Sequence, residues 1–231
     1  HEVEALRDVA RAVDGVALAM RERPFAGRSE AEISRELVER MLEAGHQRAN
    51  FAIVAAGPNA ASPHHEPGSR VIATGDSVVC DFGGAGRGDG EGIPAGYCSD
   101  ITRTFVVGPP SSELADLYAV LQVAQEEAVQ AARAGSACQE VDATARGIIA
   151  GAGYGDYFVH RTGHGIGLEE HEDPYLVGGN CQALVPGHAF SVEPGIYVEG
   201  RWGVRIEDIV VATEAGPEPL NTVSHDLAVV G

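Results

Sequence analysis

Acidic side chains and one histidine interrupt five short segments that otherwise have the apolar and glycine-rich composition of buried strands and tight turns. The segments centre on Asp81, Asp100, His164, Glu193 and Glu207. Burying one unpaired carboxylate costs several kcal/mol, as an order-of-magnitude estimate. Too few basic residues lie near these positions to pair with each carboxylate. A pair of divalent cations would neutralise the group.

Simpler explanations exist for the first two residues. Asp81 is followed closely by Gly83 and Gly84, so it could be a turn former. Asp100 could stand at a strand end and pair with Arg103. Both alternatives stay open from the residues alone.

The other three residues also have simpler explanations. His164 lies in a glycine-rich turn and could be an ordinary loop histidine, and Glu193 precedes Pro194 and could belong to a surface turn. Glu207 could pair with Arg205, two residues away on the same strand face. Taken together and in this order, the five residues are harder to explain one by one.

The apolar spacing along the chain predicts an α+β domain, because helices, strands, helices and strands follow one another in blocks. A first helix is predicted through Leu6–Met20 and a second from Ser29, where Ser29 and Glu32 have the spacing of a capping box. Two further helices are predicted at 112–133 and 139–152, strands at 51–56, 77–82, 97–107, 188–193, 196–199 and 203–212, and a loop at 83–96.

Length and composition suit one sizeable domain or two closely packed halves: 231 residues, of which 44% are hydrophobic. The net charge of −18 disfavours nucleic acid and anionic membranes as partners. Four cysteines without a C-x-x-C pair favour a reducing, cytoplasmic compartment, and no apolar run approaches the length of a membrane span. The chain begins at His1 instead of Met, which is consistent with a piece of a longer protein.

Three motifs match a known family together. They read Thr-Gly-His-Gly-Ile-Gly-Leu-Glu from Thr162, Glu-Pro-Gly from Glu193, and Arg-Ile-Glu-Asp from Arg205. With the two aspartate segments before them, they resemble the catalytic domain of the creatinase/aminopeptidase family, which includes methionine aminopeptidases, prolidases and aminopeptidase P. The resemblance covers essentially residues 1–231. It implies one metallopeptidase catalytic domain with the α+β pita-bread fold, a curved and mostly antiparallel sheet covered by helices.

The resemblance also implies a dinuclear metal site. Asp81 would chelate one ion with both oxygens, Asp100 and Glu207 would bridge two ions, and His164 and Glu193 would complete the second. Four carboxylates and one imidazole favour Mn²⁺, with Co²⁺ and Zn²⁺ as alternatives. The family mechanism is attack by a metal-bridging hydroxide on a carbonyl polarised by the same ions.

Three further histidines and one arginine match family positions near the substrate. His64 corresponds to a histidine at the border of the substrate pocket, His171 to one that holds the peptide carbonyl, and His160 to one near the proline pocket. His65 in place of His64, or a strand-capping role for His160, are the alternatives. Arg205 is expected behind the metal site, where it would orient a carboxylate ligand.

The wording of the motifs indicates the Xaa-Pro branch, whose members cleave the bond between an N-terminal residue and a following proline. The expected partners are short peptides with proline at the second position. A methionine aminopeptidase-like enzyme and a catalytically silent pita-bread binding module are the alternatives. The segment Gly84–Ala95 looks like an insertion between the two aspartates. No N-terminal domain of the kind found in Xaa-Pro enzymes is visible, so the expectation of a homodimer is weakened.

Overall fold

Residues 1–88 and 95–231 are described by the computed structural model. The predicted insertion Gly84–Ala95 therefore lies partly outside the described residues. Four α-helices occur in these ranges: α1 Glu2–Arg21, α2 Glu30–Glu43, α3 Ser112–Ala131 and α4 Cys138–Gly151. None of them is both long and apolar enough to cross a membrane.

The start of α2 has the predicted capping box. The Ser29 hydroxyl accepts a hydrogen bond from the backbone N–H of Glu32, and the Glu32 carboxylate accepts one from the backbone N–H of Ser29 at 2.7 Å. Both bonds satisfy N–H groups that have no partner within the helix. Gly45 follows the helix with φ +107°, a conformation that glycine adopts without steric cost.

The first sheet contains four strands in the order β1-β2-β3-β11. Their bounds are β1 His46–Ala56, β2 Ser77–Gly86, β3 Cys98–Val107 and β11 Ala228–Val230. The pairs β1–β2 and β2–β3 are antiparallel, whereas β11 runs parallel to β3. Helices α1 and α2 share a buried apolar core with this sheet, in which Met20, Ile33 and Phe105 are fully or almost fully buried.

The second sheet contains five strands in the order β10-β9-β6-β4-β5, and all their pairings are antiparallel. The bounds are β4 Gly163–Gly165, β5 Glu172–Leu176, β6 Ala189–Val192, β9 Asp208–Thr213 and β10 Gly216–Pro219. A separate hairpin pairs β7 Gly195–Val198 with β8 Trp202–Arg205. Side chains of α3, α4 and this sheet form a second large core, so the predicted α+β class is confirmed.

Two predicted boundaries were wrong. The stretch predicted as a loop from Gly83 continues β2 to Gly86, where it pairs with β1. A Cβ atom at Gly84 would lie 2.2 Å from the carbonyl oxygen of Arg48, so the small residue allows close strand pairing there. The predicted strand 203–212 is two strands, because the chain leaves β8 and joins the second sheet as β9.

The two sheets meet along β3 and the start of β9. Thr102 and Glu207 form an antiparallel bridge, in which the Glu207 N–H donates to the Thr102 carbonyl oxygen at 3.2 Å. One residue further along each strand, Arg103 pairs with Asp208 at 2.7 Å, and both side chains are buried. This junction brings the acidic positions of both sheets to one cavity.

Candidate active site

Both sheets contribute to a single cavity of about 680 Å³ that is lined by all five predicted metal-binding residues. Asp81 lies on β2, Asp100 on the neighbouring β3 and His164 on β4, while Glu193 follows β6 and Glu207 precedes β9. Strand pairing explains part of this convergence, because Asp81 faces Thr102 and Asp100 faces Gly83 in the β2–β3 register.

Three of the residues are close enough to bind one ion. Ligand atoms of Asp100, His164 and Glu207 all lie within 4.8 Å of one another, and all three side chains are buried. The Nε2 atom of His164 lies 3.3 Å from Oε1 of Glu193 and 3.7 Å from Oδ2 of Asp100. The geometry is therefore compact around His164.

The tautomer of His164 follows from its surroundings. Its Nδ1 lies 3.0 Å from the carbonyl oxygen of Gly165, which can only accept, so Nδ1 carries the proton. Burial, together with the neighbouring His171, lowers the pKa of His164 to about 3. The ring is therefore neutral near pH 7, and the lone pair of Nε2 points toward the carboxylates.

Three carboxyl groups of the cavity are difficult to ionise together. Burial and the negative charges of Glu207 and Asp81 raise the pKa of Asp100 well above its ordinary value. Burial and the charge of Glu193 do the same for Glu207, and burial raises the pKa of Glu193 to about 7. These carboxyl groups hold protons at neutral pH unless cations neutralise their charges.

Arg205 is the basic side chain that pairs with the cluster. Its Nη2 donates to Oδ2 of Asp81, and its Nε donates to the Thr102 hydroxyl at 3.1 Å. The Thr102 hydroxyl in turn donates to Oε2 of Glu207 at 2.6 Å. Arg205 thus pairs directly with Asp81 and not with Glu207, and it supports Glu207 through Thr102. Likewise Arg103 pairs with Asp208 and not with Asp100.

Divalent cations fit this group of residues. Oδ1 of Asp81 and Oδ1 of Asp100 are buried without a hydrogen-bond partner among the described residues. The cavity lining contains five carboxyl side chains and two guanidinium groups, those of Arg161 and Arg205, which leaves a formal excess of three negative charges when all are ionised. Unpartnered carboxylate oxygens beside a neutral imidazole are ligands that transition-metal ions accept.

The other predicted histidines also line the cavity. His64 lies there beside Pro63, whereas the neighbouring His65 binds Glu30 at 2.8 Å instead. The His171 ring packs edge-on against His164 with 4.0 Å between the centroids. His64 and His171 thus stand on the same cavity as the predicted ligands.

His160 has a defined tautomer as well. Its Nδ1 donates to the carbonyl oxygen of Arg161 at 2.7 Å, so Nε2 accepts from the Tyr197 hydroxyl at 2.8 Å. Burial and the positive charge of Arg205 lower the pKa of His160 to about 3. The ring is therefore neutral near pH 7, and it packs edge-on against Phe158 with 5.2 Å between the centroids.

Two residues near the site were not identified from the sequence. Tyr197 lies on β7 and contacts both His160 and Arg205, but its position in a short predicted strand resembles that of any core tyrosine. Arg161 lines the cavity with its guanidinium 4.9 Å from the ring of Tyr175, and its Nε is buried without an acceptor among the described residues. Its place between His160 and Thr162 in the quoted motif was the available clue.

The model of metallopeptidase family M24 matches residues 4–214. The chain belongs to metallopeptidase family M24. The match covers β1 to β9, α2 to α4 and α1 from its third residue, and together with the solved structures below it confirms the pita-bread fold.

Similar proteins include a probable dipeptidase PepE of Mycobacterium tuberculosis, which is 48% identical over 229 residues, 99% of this chain. The prolidase of Thermococcus sibiricus superposes with a TM-score of 0.93 at 43% identity, with 99% of this chain and 61% of that one covered. The X-Pro aminopeptidase of Thermotoga maritima gives a TM-score of 0.93 at 37% identity, with coverages of 99% and 63%. The chain spans 59% of the length of the mycobacterial relative.

Proposed function

We propose that this chain is the catalytic domain of a metal-dependent exopeptidase that cleaves the bond between an N-terminal residue and a following proline. The observation that carries the proposal is the convergence of Asp81, Asp100, His164, Glu193 and Glu207 on one cavity, with two carboxylate oxygens that have no hydrogen-bond partner in the described part of the chain. These five residues are the proposed ligands of two divalent cations, with Mn²⁺ as the first candidate. Relatives named dipeptidase, prolidase and X-Pro aminopeptidase support the peptide substrate class.

Bound divalent cations would lower the pKa of water and polarise the scissile carbonyl. Side chains of the protein would accept and donate the protons of the reaction. Glu193 would take a proton at its carboxylate and return it to the departing proline nitrogen. Arg205 would orient Asp81 through the direct contact between them.

Apolar side chains also line the cavity. Phe51, Ile53, Tyr175 and Val177 line it together with the predicted ligands. These side chains and the neutral His160 suit the ring of proline, which offers no amide hydrogen to satisfy. His64 and His171 would orient the peptide from the rim, and burial lowers the pKa of His171, so a neutral imidazole is expected there.

The prolidase and the X-Pro aminopeptidase superpose with the same TM-score of 0.93, so a dipeptide and a longer peptide are both candidate substrates. A single catalytic domain over residues 1–231 and a cytoplasmic location are parts of the proposal, and a homodimer is the oligomeric state to be tested. Light scattering of the purified chain checks the oligomeric state.

A panel of three peptides tests the proposed function. With added Mn²⁺, the protein is offered an Xaa-Pro dipeptide, an Xaa-Pro-Xaa tripeptide and a Met-Ala-Xaa tripeptide. We expect cleavage of a proline substrate that is abolished by a chelator and by Asp100→Ala, while Asp116→Ala on the exposed face of α3 stays active.

Each pattern of cleavage has a definite meaning. The dipeptide alone indicates a dipeptidase, and the tripeptide an aminopeptidase. Cleavage of only the Met peptide would assign the chain to the methionine aminopeptidase-like alternative. No cleavage of any peptide, in a protein that binds no Mn²⁺, would overturn the proposal in favour of a binding module.

A further inference from the structure

A buried carboxylate outside the cavity holds one wall of it. Glu30 is the first residue of α2, and its side chain is 0% exposed. Its Oε1 accepts from the Ala56 N–H at 2.9 Å and from Asn59 Nδ2 at 3.0 Å. Its Oε2 accepts from His65 Nε2 at 2.8 Å and from the Gly68 N–H at 3.2 Å.

All four donors belong to residues 56–68, here called the His64 segment. Burial alone raises the pKa of Glu30, but the hydrogen bonds from His65, Ala56, Asn59 and Gly68 outweigh it and lower the pKa. The helix N-terminus adds a favourable partial charge. The carboxylate is therefore ionised and bound entirely to this segment, without a lysine or arginine among its hydrogen-bond partners.

The opposite side of the His64 segment contacts the active site. The Pro63 carbonyl oxygen accepts from Arg205 Nη1 at 3.3 Å, and Arg205 also holds Asp81. His64 and Pro63 line the cavity, while the neighbouring His65 turns back to Glu30. The segment is thus held between Glu30 on one side and Arg205 on the other.

We propose that Glu30 is a positioning residue that fixes His64 at the rim of the cavity by anchoring the His64 segment. Within the described residues, the Glu30 side chain makes no hydrogen bond to any of the five predicted ligands, so its effect on the reaction passes through His64. This inference rests on the proposed function, because His64 acts there on the bound peptide.

A double-mutant cycle with Glu30→Gln and His64→Ala tests the proposal. Glutamine has the same shape, but its NH₂ group would replace one carboxylate oxygen. That NH₂ group would face two hydrogen-bond donors of the His64 segment and could accept from neither. With Mn²⁺ and the Xaa-Pro substrate, we expect Glu30→Gln to raise KM about tenfold, since one charged hydrogen-bond network is lost. In the His64→Ala background, the same substitution should change kcat/KM less than twofold.

Additive effects of Glu30→Gln and His64→Ala on kcat/KM would overturn the proposal. If Glu30→Gln lowers kcat/KM by the same factor with and without His64, or has no effect on KM, Glu30 does not act through His64. Glu39→Gln, an exposed carboxylate on the same helix, is the matched control and should leave KM unchanged. Asn59→Ala removes one donor only and should give a smaller effect in the same direction, which keeps the test possible if Glu30→Gln fails to fold.

A readout without substrate separates this inference from the proposed function. The imidazole NMR signals of His64, assigned from the His64→Ala spectrum, should shift or broaden in Glu30→Gln, while those of His171 stay in place. Unchanged His64 signals would overturn the anchoring role, whatever peptide the protein cleaves. If the wild-type protein cleaves no peptide but the His64 signals still shift in Glu30→Gln, only the proposed function would be contradicted.

Discussion

The guanidinium of Arg205 donates through Nη1 to the hydroxyl of Tyr197 at 2.8 Å. The same guanidinium also donates to Asp81, and the same hydroxyl donates to His160. One chain of hydrogen bonds therefore connects Asp81 at the predicted metal site with His160. Burial raises the pKa of Tyr197 to about 12, so the hydroxyl keeps the proton that it shares with His160.

Tyr197→Phe should break the hydrogen-bonded connection between Arg205 and His160. The substitution removes the only donor to His160 Nε2 among the described residues and leaves the ring volume unchanged. We expect kcat/KM for the proline substrate to fall about 10- to 100-fold, since a hydrogen bond in a buried charged network is worth about 1.5–3 kcal/mol. Steady-state kinetics with a Mn²⁺ titration would measure the change.

Tyr157→Phe, at a tyrosine that is 39% exposed, is the control and should have wild-type kinetics. Equal kcat/KM for Tyr197→Phe and the wild type would show that the hydrogen-bond chain has no part in the reaction.

The five candidate metal-binding residues could be predicted from the sequence because each one lies inside a short contiguous motif. Thr162 to Glu169 alone specifies the glycines, the imidazole and the local turn around His164. The contacts of Glu30 could not be identified in this way. Two of its four donors are the backbone N–H groups of Ala56 and Gly68, and every non-proline residue has such a group.

The strand boundaries were less predictable for a related reason. Gly83, Gly84 and Gly86 predict a loop by composition, but pairing with β1 at long sequence separation extends the strand through them. The parallel pairing of β11 with β3 joins residues more than a hundred positions apart, and no local sequence pattern predicts such a pairing.

Asp100→Asn should weaken metal binding and stabilise the metal-free protein. The amide cannot replace a charged ligand, so we expect the affinity for Mn²⁺ to fall at least about 100-fold, which is about 2.7 kcal/mol. Without metal, the same change removes a carboxyl group whose pKa is raised by burial and by the charge of Glu207. The Tm of the metal-free protein should therefore rise, by about 2–4 °C for each kcal/mol.

Isothermal titration calorimetry and scanning calorimetry measure the two effects on one preparation. Asp116→Asn on the exposed side of α3 is the control, and neither its Mn²⁺ affinity nor its Tm should change. Wild-type affinity in Asp100→Asn would contradict the assignment of Asp100 as a ligand.

The metal-free protein should lose stability as the pH rises above about 6.5. The pKa of Glu193 is raised from 4.5 to about 7 by burial, and those of Asp100 and Glu207 are also raised, so the folded state keeps carboxyl protons that the unfolded state has lost. Below pH 6.5 the buried His160 and His164, with pKa values lowered to about 3, have the opposite effect, because only the unfolded state protonates them. Above about pH 6.5 the carboxyl groups dominate, and the free energy of unfolding falls with increasing pH.

Urea unfolding at several pH values, with a chelator present, measures this slope. Saturating Mn²⁺ should reduce or reverse it, because the cations compete with protons for the same oxygens. A free energy of unfolding that rises between about pH 6.5 and 8 in the chelated protein would contradict the carboxyl cluster as the dominant titrating group in that range.

Arg146 on α4 should affect substrate binding through the position of His160. Its Nη1 donates to the Phe158 carbonyl oxygen at 2.9 Å and its Nη2 to the His160 carbonyl oxygen at 2.8 Å, while Asp142 accepts from the same guanidinium. Lysine at this position would keep the charge beside Asp142 but lose the fork that reaches both carbonyl groups.

Arg146→Lys should therefore raise KM for the proline substrate about 5- to 10-fold, since His160 would be held less firmly, and should lower Tm by a few degrees, as expected for the loss of about 1 kcal/mol. The Mn²⁺ affinity should stay at the wild-type value, because Arg146 contacts none of the predicted ligands. Arg133→Lys, an exposed arginine after α3, is the matched control. An unchanged KM together with a lowered Tm would mean that Arg146 serves stability alone, and that the position of His160 is set by Tyr197 without help from α4.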